Sequence, residues 1–99
     1  MKNRSRVEII SDILFSVKKG GETTRSTHIL YKSNLSVPLL KKYMKSLLKD
    51  GLIEKTERKN STFYKLTDKG FKFVRLLQKL NPMTEIIEIY KDKRARSAY

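Results

Sequence analysis

Few residues in this sequence are of types that could carry out catalysis or hold a metal. There is one histidine, His28, no cysteine, and no group of carboxylates beside that histidine. A serine nucleophile requires a base and an orienting acid, and a transition-metal site requires several His, Cys, Asp or Glu ligands. We therefore expect no enzyme activity, no metal and no cofactor, and we expect His28 to be partly buried or to cap a helix.

Basic side chains, in contrast, are abundant. The 99 residues contain 23 Lys and Arg against 10 Asp and Glu, so the formal net charge is +13. Residues 23–50 contain six basic residues and one acid, Asp50. A concentrated positive charge is typical of a protein that binds a polyanion, and nucleic acid is the first candidate. Because a basic helix face can also be merely solvated, the elements that carry these charges decide the interpretation.

Apolar periodicity predicts two helices in the first third of the chain. The first is an amphipathic helix over Arg6–Lys18, with Ser5 as its N-cap. Its predicted apolar stripe consists of Val7, Ile10, Ile13, Leu14 and Val17. The second is shorter and extends over Thr24–Ser33, with one of the threonines at its start as the cap. We expect the ring of Tyr31, in this second helix, to pack inward.

A third helix is predicted to begin near Val37, after a turn at Asn34. Ser36 is its expected N-cap, and Pro38 lies in the first turn, where a missing N–H has no cost. Apolar residues recur on one face at the helical period, and lysines occupy the remaining face. These lysines are Lys41, Lys42, Lys45 and Lys49.

A small β-hairpin and a fourth helix complete the predicted elements. The extended segments Leu52–Glu57 and Thr62–Leu66 flank four polar residues, which form a basic hairpin tip. Thr67 is the expected cap of a fourth helix that continues to Asn81, where Pro82 interrupts it.

This order of elements predicts a mainly α fold with a small β-hairpin. The fold class is a winged helix-turn-helix, with three helices and a two-stranded wing, followed by a C-terminal dimerisation helix interrupted near Pro82. The predicted units are residues 1–66 for DNA binding, residues 67–81 for the fourth helix, and residues 82–99 for a short amphipathic helix over Met83–Tyr90 with a basic tail. No apolar stretch is long enough to span a bilayer, so we expect a cytoplasmic, nucleoid-associated protein.

The second of two helices joined by a short turn is the one that enters the major groove of DNA in this architecture. The residues nearest the base edges would then be Ser36, Val37, Pro38 and Lys41. The later lysines, Lys42, Lys45 and Lys49, would lie at phosphates. The start of helix 2 offers hydroxyls, a guanidinium and free N–H groups to a phosphate, and the hairpin tip reaches the adjacent minor groove or backbone. The predicted DNA-binding residues are Thr24, Arg25, Ser26, Ser36, Val37, Pro38, Lys41, Lys42, Lys45, Arg58, Lys59 and Asn60.

The sequence of helix 4 predicts a contact with another protein chain. Phe71 and Val74 are expected to face the hairpin and the core, which leaves a second apolar stripe with no partner in so small a domain. An exposed stripe of that kind favours self-association. The predicted dimerisation residues are Phe73, Leu76, Leu77 and Leu80.

Three segments also resemble a known family. The segments YKSNLS (Tyr31–Ser36), GLIEK (Gly51–Lys55) and LTDKG (Leu66–Gly70) occur in the order and spacing of the archaeal winged-helix family of small basic DNA-binding proteins, which includes ten-kilodalton chromatin proteins and predicted transcriptional regulators. The resemblance implies double-stranded DNA binding by a homodimer whose fourth helices pair as an antiparallel coiled coil. It also implies contacts from Ser36–Lys45 and from Arg58–Asn60. Pro82 departs from the family pattern of one long uninterrupted fourth helix.

The predicted function is therefore double-stranded DNA binding by a transcriptional regulator or nucleoid-associated protein, with weak sequence selectivity and no small-molecule ligand. One alternative is a winged-helix protein–protein interaction module, in which helix 4 and the tail bind a protein. RNA binding is a second alternative, although the sequence lacks an aromatic-lined sheet or an arginine-rich arm.

Overall fold

A computed structural model of the chain describes residues 4–80. In chain order it contains three helices, an antiparallel hairpin and a fourth helix, as the sequence predicts. The elements are α1 (Arg6–Gly20), a short 3-10 turn (Gly21–Thr23), α2 (Ser26–Ser33), α3 (Val37–Lys49), β1 (Ile53–Arg58), β2 (Ser61–Leu66) and α4 (Asp68–Leu80). None of the helices within this part of the chain is long and apolar enough to cross a membrane.

Ser5 begins α1 with a reciprocal pair of hydrogen bonds, and its predicted role as N-cap is confirmed. The Glu8 N–H donates to Ser5 Oγ at 3.1 Å, and the Ser5 N–H donates to Glu8 Oε1 at 2.8 Å. These bonds satisfy donors that the first helical turn leaves unpaired. The Ser5 backbone N–H, followed by the Ser5 hydroxyl, lowers the pKa of the Glu8 carboxyl.

The hydrophobic core is built on one face of α1. Ile13, Leu14 and Val17 are fully buried there, and Ile9 continues the same face one turn earlier. Val7 was predicted on this stripe but is exposed, because the i, i+4 line through Ile9 turns it toward solvent. The core cluster consists of Ile9, Ile13, Leu14, Phe15, Val17, Ile29, Leu40, Met44, Leu47, Leu52, Ile53, Leu66 and Val74.

The turn between α2 and α3 follows the predicted chemistry. Asn34 adopts the left-handed conformation with φ 54°, which asparagine tolerates better than most residues. Ser36 caps α3, and its Oγ accepts a hydrogen bond from the Leu39 N–H at 3.4 Å. Pro38 lies in the first turn of α3, where its missing donor is not required.

The wing is a regular two-stranded hairpin, longer than the sequence predicts. Arg58 and Ser61 were expected in the tip, but they form the last pair of the antiparallel ladder. Only Lys59 and Asn60 form the turn, and both have positive φ values, 45° and 67°. A two-residue turn of this kind matches the right-handed twist of the strands it joins.

The segment before α2 pairs with the wing, and this corrects the predicted start of the second helix. Thr24 is extended and forms an antiparallel bridge with Tyr64, whose N–H donates to the Thr24 carbonyl oxygen at 2.7 Å. Because the Thr24 carbonyl oxygen accepts from the wing, the first helical turn closes on the next residue, where the Ile29 N–H donates to the Arg25 carbonyl oxygen at 3.1 Å. The helix therefore begins at Ser26, with Arg25 as an N-cap that makes no side-chain capping bond.

Helix α4 begins where Thr67 was predicted to cap it. Thr67 Oγ1 accepts from the Gly70 N–H at 3.0 Å and also donates to the Gly51 carbonyl oxygen. Gly70 lies so close to the wing that a Cβ there would stand 2.0 Å from the Leu52 carbonyl oxygen. The interruption predicted at Pro82 and the helix predicted over Met83–Tyr90 lie outside the described residues.

Candidate nucleic-acid interface

Helix α3 has two chemically opposite faces. Leu40, Met44 and Leu47 are buried in the core, whereas all four lysines of the helix are exposed. At about 100° per residue, Lys41, Lys42, Lys45 and Lys49 fall within an arc of about 100° on the side opposite those apolar residues. The cationic side of α3 therefore faces solvent as a single surface, which we call the lysine face.

The charges of the lysine face are not neutralised within residues 4–80, where none of its four lysine side chains forms an ion pair or hydrogen bond. Carboxylates are paired elsewhere on the molecule. Arg4 Nη1 lies 2.6 Å from Asp12 Oδ2, and Lys65 Nζ lies 3.4 Å from Glu54 Oε1. Uncompensated cations on one surface repel one another and attract an anionic partner.

The start of α3 lies beside the lysine face. Ser36, Val37 and Pro38 are all exposed, and Val37 retains 51% of its accessible surface although it is apolar. The Ser36 oxygen is occupied by its capping bond, but its hydroxyl hydrogen remains available for donation. The predicted base-proximal residues thus form an accessible helix end with little bulk.

At the start of α2, the structure separates three residues that were predicted to act together. Thr24 is only 2% exposed, and its hydroxyl donates to the carbonyl oxygens of Val17 and Gly21. Its side chain is therefore unavailable to a ligand, and the prediction of a Thr24 contact is corrected. Arg25 and Ser26 are exposed, as a contact requires.

The wing presents Arg58, Lys59 and Asn60 at its exposed tip. Arg58 is the cross-strand partner of Ser61, and Arg25 Nη2 donates to Ser61 Oγ at 3.3 Å. Because paired residues share a face of the ladder, the guanidinium groups of Arg25 and Arg58 lie on the same side of the hairpin. The wing and the start of α2 therefore form a continuous basic surface.

Two aromatic residues on α2 differ from their predicted positions. Tyr31 was expected to pack inward but is 85% exposed, and His28 was expected to be partly buried or capping but is exposed. Ile29 and Ser33 occupy the inner face of the helix and turn His28 and Tyr31 outward. Together with Arg25, these two side chains line an open groove of about 660 Å³. Their outward orientation could have been predicted from the sequence, because Ile29 occupies the inner face of the helix.

The apolar stripe of α4 is only partly free. Val74 is buried, as predicted, but Phe71 was expected against the hairpin and is 47% exposed. Phe73 and Leu77 are half-buried against the core of their own domain, whereas Leu76 is 54% exposed. The side chain of Leu80 lies outside the described part of the chain. Among the described residues, an apolar surface without a partner therefore remains on α4, and it is centred on Leu76 instead of on the whole predicted stripe.

Comparisons with known proteins agree with this architecture. A sequence model of the winged helix-turn-helix family matches residues 3–85. The structure of Sso10a-2, a DNA-binding protein from Sulfolobus solfataricus, is similar with a TM-score of 0.71 and 22% identity, and the match covers 94% of this chain and 95% of that one. SSV1 F-93 is similar over the whole of both chains, with a TM-score of 0.66 and 20% identity.

A larger regulator shares the fold over part of its length. The zinc-dependent MarR family transcriptional regulator AdcR is similar with a TM-score of 0.57 and 17% identity, and the match covers 97% of this chain and 64% of that one. No curated protein matches the chain by sequence. The resemblance to small archaeal winged-helix proteins is confirmed by the family match and by the first two of these structures. The chain belongs to the winged helix-turn-helix family.

Proposed function

We propose that this protein binds double-stranded DNA as a homodimer and acts as a transcriptional regulator or nucleoid-associated protein in the cytoplasm. The observation that carries the proposal is the lysine face of α3, which is exposed and whose lysine side chains form no ion pair within residues 4–80. A cationic helix that is the second of a helix-turn-helix has the shape and the charge to enter the major groove.

Each part of α3 has a separate role in this proposal. Its first turn, with Ser36, Val37 and Pro38, approaches the base edges, and Lys41 follows on the same side. Lys42 and Lys45 contact phosphates on the walls of the groove. Val37 supplies an exposed apolar surface of the kind that contacts the methyl group of thymine.

The wing and the start of α2 bind the sugar-phosphate backbone on either side of the groove. Arg58, Lys59 and Asn60 reach the flanking backbone or the adjacent minor groove, and Ser26 donates to a phosphate near the start of α2. Such contacts fix the orientation of the protein on the duplex but carry no sequence information.

Sequence selectivity is weak in this proposal. The best side chains for bidentate base recognition are Arg, Asn and Gln, and the segment from Ser36 to Lys49 contains none of them. Lysine contacts phosphate mainly as a point charge. Affinity therefore depends chiefly on the backbone of the duplex.

The comparisons support the proposal at the level of the fold. Sso10a-2 is described as a DNA-binding protein and AdcR as a transcriptional regulator, and both are similar in structure to this chain. Dimerisation is proposed through α4, where Leu76 is exposed and Phe73 and Leu77 are half-buried beside it. A symmetric dimer would present two α3 helices to neighbouring turns of the groove.

Titration of a duplex DNA, its RNA counterpart and one DNA strand, each at several salt concentrations, tests this function. We expect the duplex DNA to bind most tightly, with an affinity that falls as salt rises. Tighter binding of RNA would favour the RNA alternative. Failure to bind any nucleic acid would favour a protein–protein interaction module.

A further inference from the structure

Arg25 contacts the wing with its guanidinium group. The guanidinium carbon lies 5.3 Å from the centroid of the Phe63 ring, within the range of a cation–π interaction. The Nη2 atom also donates a hydrogen bond to Ser61 Oγ at 3.3 Å. Phe63 and Ser61 are two residues apart on β2, so one planar group spans two successive side chains of one strand face.

The contacts of Arg25 lie on the outer half of the hairpin, which the core does not hold in place. The base of the wing is held in place, because Ile53 and Leu66 are buried in the core and the Tyr64 backbone N–H donates a hydrogen bond to the Thr24 carbonyl oxygen. Ser61 is next to the turn, beyond this anchored base. A two-stranded hairpin is only marginally stable on its own, so its outer half depends on contacts with other elements.

We propose that Arg25 is a positioning residue that orients the outer half of the wing, and that it affects DNA binding through Phe63 and Ser61 instead of through a phosphate contact of its own. The effect on DNA rests on the proposed function, whereas the effect on the wing does not. The proposal replaces the role that the sequence predicts for Arg25.

Two features of the contact make the proposal specific. Phe63 carries no charge, yet it becomes necessary for full DNA affinity because it holds the wing in place. Lysine would keep the charge at position 25, but its ammonium group cannot both stack on a ring and donate in the same plane to Ser61. A positive charge at position 25 is therefore not sufficient to orient the wing.

The first test measures the wing without DNA. Hydrogen exchange of the amides of residues 57–62 should be faster in Arg25→Ala and Phe63→Leu, by roughly two- to five-fold for a lost exposed cation–π contact. Arg25→Lys should resemble Arg25→Ala. Lys32→Ala, which removes an exposed charge from α2 without touching the wing, should leave this exchange unchanged. Unchanged exchange in Arg25→Ala would overturn the proposal.

The second test is a double-mutant cycle with duplex DNA. Arg25→Ala should weaken binding in the wild-type background but by no more than about two-fold in an Arg58→Ala/Lys59→Ala background, where the wing contacts are already lost. An equal loss in both backgrounds would mean that Arg25 contacts DNA directly and would overturn the proposal. If the wild-type chain binds no duplex, the proposed function fails, and the exchange measurement alone decides the role of Arg25.

Discussion

The carbonyl oxygen of Thr24 accepts a 2.7 Å hydrogen bond from the Tyr64 N–H, and this bond joins the helix-turn-helix to the wing. Thr24 lies on the free edge of β2 and is followed at once by Arg25, whose guanidinium lies over Phe63. The two parts of the proposed DNA surface are thus connected by neighbouring residues. We expect them to move as one body when a duplex binds.

The lysine face should determine affinity without determining sequence preference. Lys41→Ala/Lys45→Ala should weaken binding by roughly ten-fold, since two ion pairs worth up to about 1 kcal/mol each are lost. The loss should be similar for several unrelated duplexes, measured by fluorescence anisotropy. A loss confined to one sequence would show that these lysines read bases.

A second double variant with the same loss of charge shows whether affinity depends on the location of the lysines or only on the net charge of the protein. Lys18 on α1 and Lys72 on α4 are exposed and lie off the lysine face. Lys18→Ala/Lys72→Ala should therefore retain most of the wild-type affinity. Equal effects of the two double variants would mean that only total charge matters.

The predictions that succeeded from the sequence are mostly local. Ser5, Ser36 and Thr67 cap helices as expected, because each cap bonds to a backbone group three residues away. The positions of Thr24 and Tyr31 were wrong. Thr24 is held by a β-bridge to a distant segment, which single-sequence periodicity does not reveal.

In the candidate site, too, the features set by local sequence could be predicted and the contacts between distant segments could not. Exposure of the lysine face follows from the helical period, so the sequence was sufficient to predict it. The contact between Arg25 and Phe63 depends on how the wing folds back against α2, and the residue types alone gave no indication of it. A basic residue near a predicted helix start looks the same whether it serves a ligand or a neighbouring strand.

The cap of α1 should make a measurable contribution to stability. Ser5→Ala removes the acceptor for the Glu8 N–H and should lower the free energy of unfolding by about 1 kcal/mol in urea denaturation. Ser26→Ala, at the exposed start of α2, is a suitable comparison because the hydroxyl of this serine makes no hydrogen bond within residues 4–80. Equal destabilisation by both changes would count against the cap.

Close packing between α4 and the wing predicts that Gly70 tolerates no side chain. A Cβ at this position would meet the Leu52 carbonyl oxygen, which is backbone and cannot rotate away. Gly70→Ala should therefore destabilise the domain by about 1–3 kcal/mol, despite the better helix propensity of alanine. Lys72→Ala, exposed on the same helix, should be nearly neutral. A stabilised Gly70→Ala variant would contradict this packing.

The exposed apolar residues of α4 distinguish between two possible dimer surfaces. Leu76 and Phe71 are both about half exposed but lie on different sides of the helix. If the predicted stripe forms the dimer, Leu76→Glu should shift the chain to a monomer in multi-angle light scattering, and Phe71→Glu should not. Dissociation by Phe71→Glu alone would place the interface on the other side of α4.

The most direct test of the account is the salt dependence of duplex binding. With roughly five to seven phosphate contacts per protomer, log affinity should fall with log salt at a slope of about −0.9 per contact. Lys41→Ala/Lys45→Ala should make the slope shallower by about one to two contacts per protomer, because Lys45 contacts phosphate and Lys41 lies beside the base edges, and Lys18→Ala/Lys72→Ala should leave it unchanged. A slope near zero for the wild-type chain, or the same slope in all three proteins, would contradict the claim that the lysine face of α3 binds DNA.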